Sequence, residues 1–309
     1  MIAVAAILLT DMFAVVMLFG VYSLLTAAVV MDLDAVDVAF TEAAVGAGVT
    51  TVLMLSSLHL TKRWEALPRR NPLLGLLVVG VTGAALVYAV LDAPGLGDPT
   101  APVHQHVTPR YIEQGATEVG MPNLVTAVLA SYRGYDTFGE TVVVFTAGLG
   151  VLLLLGIPDC SRMRPGVSAI GDQVVLRSVV KVLLPLILLF ALYVQFHGDF
   201  GAGGGFQAGV IFATAFVLYD LVFGDGSARA VVPPGWLHRL AAIGVLIYGG
   251  VGVYSLLAGR AFLDYSALAA DPVHGQHLGV LLVELGVGIA VFSVVLLIFY
   301  AFAGRGHCR

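Results

Sequence analysis

Long apolar runs alternate with short polar breaks along most of this chain, and that alternation predicts its architecture. The runs fall at roughly 3–30, 36–60, 72–91, 137–157, 174–196, 205–223, 237–258 and 277–303. Each approaches or exceeds the roughly 20 residues that carry a helix across a 30 Å hydrocarbon layer. The pattern therefore predicts eight membrane-spanning helices. The first run is over-long and interrupted by Asp11, so it is either one tilted helix or a short piece followed by a helix. A long polar connection from Asp92 to Asp136 contains Pro94, Pro99, Pro102, Pro109 and Pro122. Within it, Met121 to Tyr132 reads as a short amphipathic helix lying at the interface. Pro158 to Gly171 is a second hydrophilic break and the best internal boundary. The expectation is an all-α polytopic protein of two four-helix modules, roughly 1–157 and 170–309.

Composition agrees. Hydrophobic residues make up 59% of the 309, charged residues only 11%, against roughly 25% in soluble domains. Only 15 residues are Lys or Arg and the net charge is −5, which leaves no basic patch for nucleic acid. The start, MIAVAAILLTDMF, has no basic n-region, and its apolar run is too long for a signal peptide. Basic residues in loops flanking spans mark the cytoplasmic side. With the N-terminus inside, Lys62, Arg63, Arg69, Arg70, Arg162, Arg164, Arg177, Lys181, Arg229, Arg239, Arg305 and Arg309 fall inside, and Arg110, Arg133 and Arg260 outside. The chain is thus expected to be a multi-pass inner (plasma) membrane protein with both termini cytoplasmic. Cys160 and Cys308 then face a reducing compartment, so no disulfide is expected.

Candidate chemistry lies in ionisable residues within or beside the spans, where an intramembrane charge costs about 2.5–3.5 kcal/mol on insertion scales. The second span, DVAFTEAAVGAGVTTVLMLSSLHL, carries Glu42 about six residues from its start, roughly 9 Å in at 1.5 Å per residue. Glu42 is either a carboxylate hydrogen-bonded near a helix end or a protonatable group on an ion route. Asp37 and Thr41, four apart, share a face. Asp32 and Asp34 precede them, as a cation-gathering mouth or as a solvated loop. His59, beside Lys62 and Arg63, reads as an interfacial residue or a relay.

The fourth span opens RGYDTFGE, where capping accounts for Asp136 or Thr137 but less readily for Glu140, already inside the apolar run. Lys181 precedes Pro185 by four residues, so its carbonyl loses a helical donor. Lys181 either joins an ion path or snorkels to the interface with Arg177. His197-Gly-Asp-Phe-Gly-Ala-Gly203-Gly204-Gly205 leads into the sixth span. Its consecutive amides suit an anion or a close packing neighbour, but no Lys-Ser/Thr follows to make a phosphate loop. Glu284 is a third intramembrane carboxylate, with Gly286 and Gly288 beside it. No nucleophile triad, metal site or cofactor motif stands out, and an enzyme is not expected.

Three stretches carry a family resemblance. DVAFTEAAVGAGVTTVLML resembles the PDVALTEAAVGAG signature of the MbhD-type module, with Val36 in place of the motif proline. NLVTAVLASYRGYDTFGE, from Asn123 to Glu140, is similar to the MbhE-type module. HGDFGAGGGFQAG and HLGVLLVELGVGIAVFSVVLLIF resemble MnhB, whose loop usually reads GHNxPGGGFxAG; Asp199 and Gly201 or Ala202 depart from it. Together they resemble the Mrp (Mnh) multisubunit cation/proton antiporters and the related membrane arm of membrane-bound hydrogenases. The resemblance implies a fusion of the tail of the large MnhA-type polypeptide with an MnhB-type polypeptide. In that fusion an MbhD-like module covers 1–91, an MbhE-like module 92–157 and an MnhB-like module 158–309. It implies that Glu42 and Glu140 hold acidic positions tied to ion translocation, and that the Gly203–Gly205 loop matters for assembly or activity. The expected function is that of a Na⁺/H⁺ antiporter component without its own cofactor. Its expected partners are large antiporter-like subunits (with the antiporter-like half of the MnhA-type polypeptide as a separate chain), small membrane subunits, Na⁺, H⁺ and lipids. The alternatives are a membrane-arm component of an energy-converting hydrogenase or complex I-like oxidoreductase, and a structural scaffold.

Overall fold

The computed structural model describes residues 1–65, 72–95, 97–156, 173–224 and 226–304. The break at Pro158–Gly171, Cys160, Cys308, Arg69, Arg70, Arg162, Arg164, Arg305 and Arg309 lie outside the described residues, as does the side chain of His59. Among the described residues the fold is all-α and polytopic, with eight helices long and apolar enough to cross a membrane.

The first run is two pieces, α1 (Ile2–Leu8) and α2 (Met12–Asp32). Asp11 makes the break. Its side chain accepts from the Phe13 amide at 3.1 Å, capping α2, and is clasped by Arg63 at 2.7 Å. The second span begins as α3 (Val36–Glu42), widens into a π-helical stretch (Ala43–Thr50) and ends as α4 (Thr51–Leu60). After α5 (Pro72–Leu91) come the short helices α6 (Pro102–Gln105) and α7 (Thr108–Glu118).

The short helix expected over Met121–Tyr132 is present and packs one face into the core. It forms α8 (Leu124–Thr126) and a π-helical turn (Ala127–Tyr132), with Met121, Ala127 and Ala130 in the core. Small alanines allow the close approach, and the Tyr265 hydroxyl donates to the Ala130 carbonyl at 2.8 Å. Beside it lies the amphipathic α7, where Arg110 pairs with Glu118 at 2.9 Å.

The remaining spans are α9 (Gly134–Leu155), α10 (Val174–His197), α11 (Gly205–Phe223), α13 (Pro234–Leu257) and α14 (Pro272–Ala303). A short α12 (Ser227–Val231) joins α11 to α13. Helix α14 is the axis: α9, α11 and α13 all pack on it. Glycines permit this. A Cβ on Gly244 would stand 2.5 Å from the Gly286 carbonyl oxygen, and one on Gly209 2.6 Å from that of Gly288. Because α9 leans on α13 and α14, the two halves of the chain interlock rather than sit side by side.

Candidate functional site

The glycine loop between α10 and α11 organises the site. Gly204 has φ +127°, a conformation that favours glycine, and its amide donates to the Val194 carbonyl at 3.0 Å. That leaves its neighbours' amides pointing away from α10. The Gly203 amide donates to Asp37 Oδ1 at 3.1 Å. The Gly205 amide donates to Glu284 Oε2. A helix N-terminus presents free N–H groups and a positive dipole end. Here the acceptors it meets are two carboxyl groups of the same chain, one from α3 and one from α14. The packed turn and the anion cradle expected of this loop are thus one arrangement.

Polar side chains extend the constellation. Gln207 donates to the Thr41 hydroxyl at 3.0 Å, and Thr41 donates to the Asp37 carbonyl at 3.0 Å. Asn123 reaches Asp37 Oδ2 at 3.4 Å, while donating to the carbonyls of Gly198 (3.0 Å) and Gly201 (2.9 Å). Asp37, Asn123 and Gln207 are all buried.

Asp37, Thr41 and Gln207, with Glu284, border a cavity of about 320 Å³. Asp37, Glu140, Glu284, Gln207 and four threonines (Thr41, Thr126, Thr137 and Thr141) supply its polar wall, and valines, Leu129, Phe206 and Tyr248 most of the remainder. The volume is ample for several waters, each needing about 30 Å³. Glu140 stands on the rim, one and a half turns into α9 and exposed on the chain's surface. Its neighbours have structural duties: Asp136 pairs with Arg133 at 2.6 Å, and the Thr137 hydroxyl donates to the Leu129 carbonyl at 2.8 Å. Among the described residues no group of three His, Cys, Asp or Glu is arranged to hold a metal.

The structure therefore brings Asp37, Glu140, Glu284 and Gly203–Gly205 together. Glu42 is elsewhere. It turns toward α2, where a Cβ on Gly46 would lie 2.7 Å from Glu42 Oε1 and 2.6 Å from the Ser23 hydroxyl. Lys181 is exposed on α10 and does not line the cavity. His197 stacks on Tyr193, ring centroids 4.8 Å apart, and covers the back of the loop. His59 falls in α4. Asn123, Gln207 and Thr126 have no counterpart among the candidates that the sequence offers. The available signal was Asn123 directly before an apolar run, an N-cap position whose side chain does accept from the Val125 amide at 3.0 Å.

Outside the spans, Glu118 accepts from the Tyr132 hydroxyl at 2.5 Å and from Arg110. These donors hold its carboxyl below the ordinary range, Tyr132 first and Arg110 second. Burial, then the bond to Glu118, pushes the Tyr132 phenol up to about 12.

Residues 175–297 match the domain related to the MnhB subunit of Na⁺/H⁺ antiporters. The putative antiporter protein mnhB2 of Staphylococcus haemolyticus (strain JCSC1435) is 33% identical over 43% of this chain and 96% of its own length. This chain belongs to the MnhB family of antiporter subunits. Ahead of the MnhB domain, residues 1–63 match MbhD and residues 68–175 match MbhE, two components of MBH. The probable K⁺/H⁺ antiporter A/B polypeptide of Rhizobium meliloti (strain 1021) is similar across all three parts, 28% identical over 94% of this chain. The chain spans about a third of that relative's length, 32%. Among solved structures, one from the Mrp complex of Dietzia sp. DQ12-45-1b superposes with a TM-score of 0.76 at 26% identity, covering 98% of this chain and 34% of that one. A chain of the archaeal membrane-bound sulfane sulfur reductase superposes with a TM-score of 0.59 at 28% identity, covering 74% of this chain and 97% of that one. The cavity lies where the three domains meet: Asp37 comes from the MbhD-like part, Thr137 and Glu140 from the MbhE-like part, Gly203, Gly205 and Glu284 from the MnhB domain.

Proposed function

We propose that this chain is a transport component, not an enzyme, of a multisubunit monovalent cation/proton antiporter, working with large antiporter-like and small membrane subunits. Its carboxylates lend an ion path their charge. The observation that supports this best is the pairing of Asp37 and Glu284 on one glycine loop, facing a cavity that Glu140 also borders. Carboxylates at membrane depth are tolerated where they face protein or a hydrated path. Backbone amides can hold either protonation state of such a group without rearrangement, which suits a carboxylate that alternates between a proton and a cation. The twelve-to-three distribution of basic residues supports cytoplasmic termini. The transported cation is Na⁺ or K⁺.

Everted vesicles containing the assembled complex provide the test, with dissipation of ΔpH on adding Na⁺ or K⁺ as the readout. Glu284→Gln keeps an acceptor for the Gly205 amide and removes the ionisable group. The expected loss is about tenfold, equivalent to about 1.4 kcal/mol at the barrier, with assembly intact. Glu42→Gln, on the face of α3 turned toward α2, is expected to abolish exchange outright, again with assembly intact. Full activity in both variants would remove these carboxylates from the path and leave the scaffold role. A second reading, the membrane arm of a redox complex, is favoured by the likeness to the sulfane sulfur reductase chain. Co-purification with iron–sulfur proteins would select it.

A further inference from the structure

The buried amide of Asn123 ties the loop before α11 to Asp37, which borders the cavity. Its Oδ1 accepts from the Val125 amide, which fixes which way the amide faces. The Nδ2 group therefore looks at three oxygens: Gly198 carbonyl, Gly201 carbonyl and Asp37 Oδ2. An amide nitrogen carries two hydrogens, so three acceptors compete for two donors. The Asp37 contact, at 3.4 Å, is the longest of the three. Asp37 Oδ1 is held differently, by the Gly203 amide. One carboxylate oxygen is thus anchored by a backbone amide and the other is approached by the Asn123 amide, on a residue that borders the cavity.

We propose that Asn123 is the positioning residue of Asp37, aiming its second oxygen into the cavity with a donor that the loop carbonyls can take back. Binding of a proton or cation at that oxygen then requires only a redistribution of the Asn123 hydrogens, with the glycine loop left in place. Thr126 provides the contrast. Its hydroxyl donates to the same Gly198 carbonyl at 2.7 Å but makes no contact with Asp37. The inference builds on the ion-path reading for its transport consequence, whereas its test reads Asp37 directly.

The probe is dicyclohexylcarbodiimide, which captures carboxyl groups in apolar surroundings, applied to the purified assembled complex and mapped by peptide mass spectrometry. Asn123→Ser preserves a good N-cap for α8 and removes the amide donor. Labelling at Asp37 is expected to rise severalfold while labelling at Glu140 stays constant, and Thr126→Val is expected to change neither. Unchanged labelling at Asp37 in Asn123→Ser would overturn the proposal. So would an equal rise in Thr126→Val, or a joint rise at Asp37 and Glu140, because each marks general loosening of the loop. Should Asn123→Ser fail to assemble, Asn123→Thr also keeps a cap for α8 and carries the same expectation. Failure of both variants beside an intact Thr126→Val would make Asn123 a fold clamp and end the proposal. Loss of antiport alone touches the ion-path reading and not this one.

Discussion

Helices α5 and α14 are alike as strings of letters and opposite as structural elements. Both are apolar enough to span, with mean hydropathy of 2.3 and 2.7 in their best windows. Yet none of the α5 window is buried within this chain, against 56% of that in α14. Both are studded with glycine. On α14, Gly286 lies against the Gly244 carbonyl and Gly288 against Gly205, so backbones touch. On α5, a Cβ added at Gly75, Gly80 or Gly83 would meet nothing within 4 Å. Hydropathy thus reports that a helix can enter lipid, and glycine reports close packing only where a second backbone faces it.

The comparison breaks most directly at Gly205. An alanine Cβ there would collide with the Glu284 carbonyl and stand 2.9 Å from the Gly288 nitrogen, and backbone cannot step aside. Gly205→Ala is expected to destabilise the folded chain by about 1–3 kcal/mol or more, and to displace Glu284 from its amide. Thermal unfolding in detergent, followed by size-exclusion chromatography, checks this. A neutral result would mean that the seam is not close-packed.

At Gly80 the sign reverses. Alanine in an unobstructed helix interior is favoured over glycine by about 0.5–1 kcal/mol, so Gly80→Ala is expected to leave this chain as stable or slightly more so. The larger Gly80→Leu sharpens the point: intact chain but lost complex would put α5 against another polypeptide, whereas an unaffected complex would put it against lipid.

The smallest expected effect lies outside the spans, in the link between α7 and the π-turn. The Glu118 carboxyl is held below its ordinary range, so the stability it adds is present above about pH 4.3 and fades as pH falls through its lowered value. Tyr132 is raised, so its contribution is full below about pH 10 and is lost as pH climbs through about 12. The difference in melting temperature between Glu118→Gln and the parent should therefore be visible at neutral pH and vanish in acid. A difference that persists unchanged to about pH 3 would contradict the assignment.

Much of the site was legible as candidates and little of it as an arrangement. Asp37, Glu140, Glu284 and the glycine loop were visible because a carboxylate in an apolar run, or three glycines before one, violates the local pattern. Glu42 was visible for the same reason, and local pattern could not rank it below Asp37 for the cavity. At 3.6 residues per turn, five positions rotate a side chain about 140° around the axis. One acid therefore faces the loop and the other faces α2. Asn123 and Gln207 were harder to find, since single amides near helix starts are ordinary capping residues. The π-helical turns were invisible too, because Ala127–Tyr132 reads as plain helix until Tyr265 is seen taking up a freed carbonyl.

Sequence alone determined that this protein is helical, that eight stretches can span, and that acids lie within them. These are properties of short windows, set by transfer free energy and by the need of every backbone amide for a partner in lipid. Tertiary structure alone decided which acids meet. Asp37, Asn123, Gly203 and Glu284 are far apart along the chain, and the glycine-lined crossing of α11 on α14, with α3 packed against α11, brings amide donors within reach of both carboxylates.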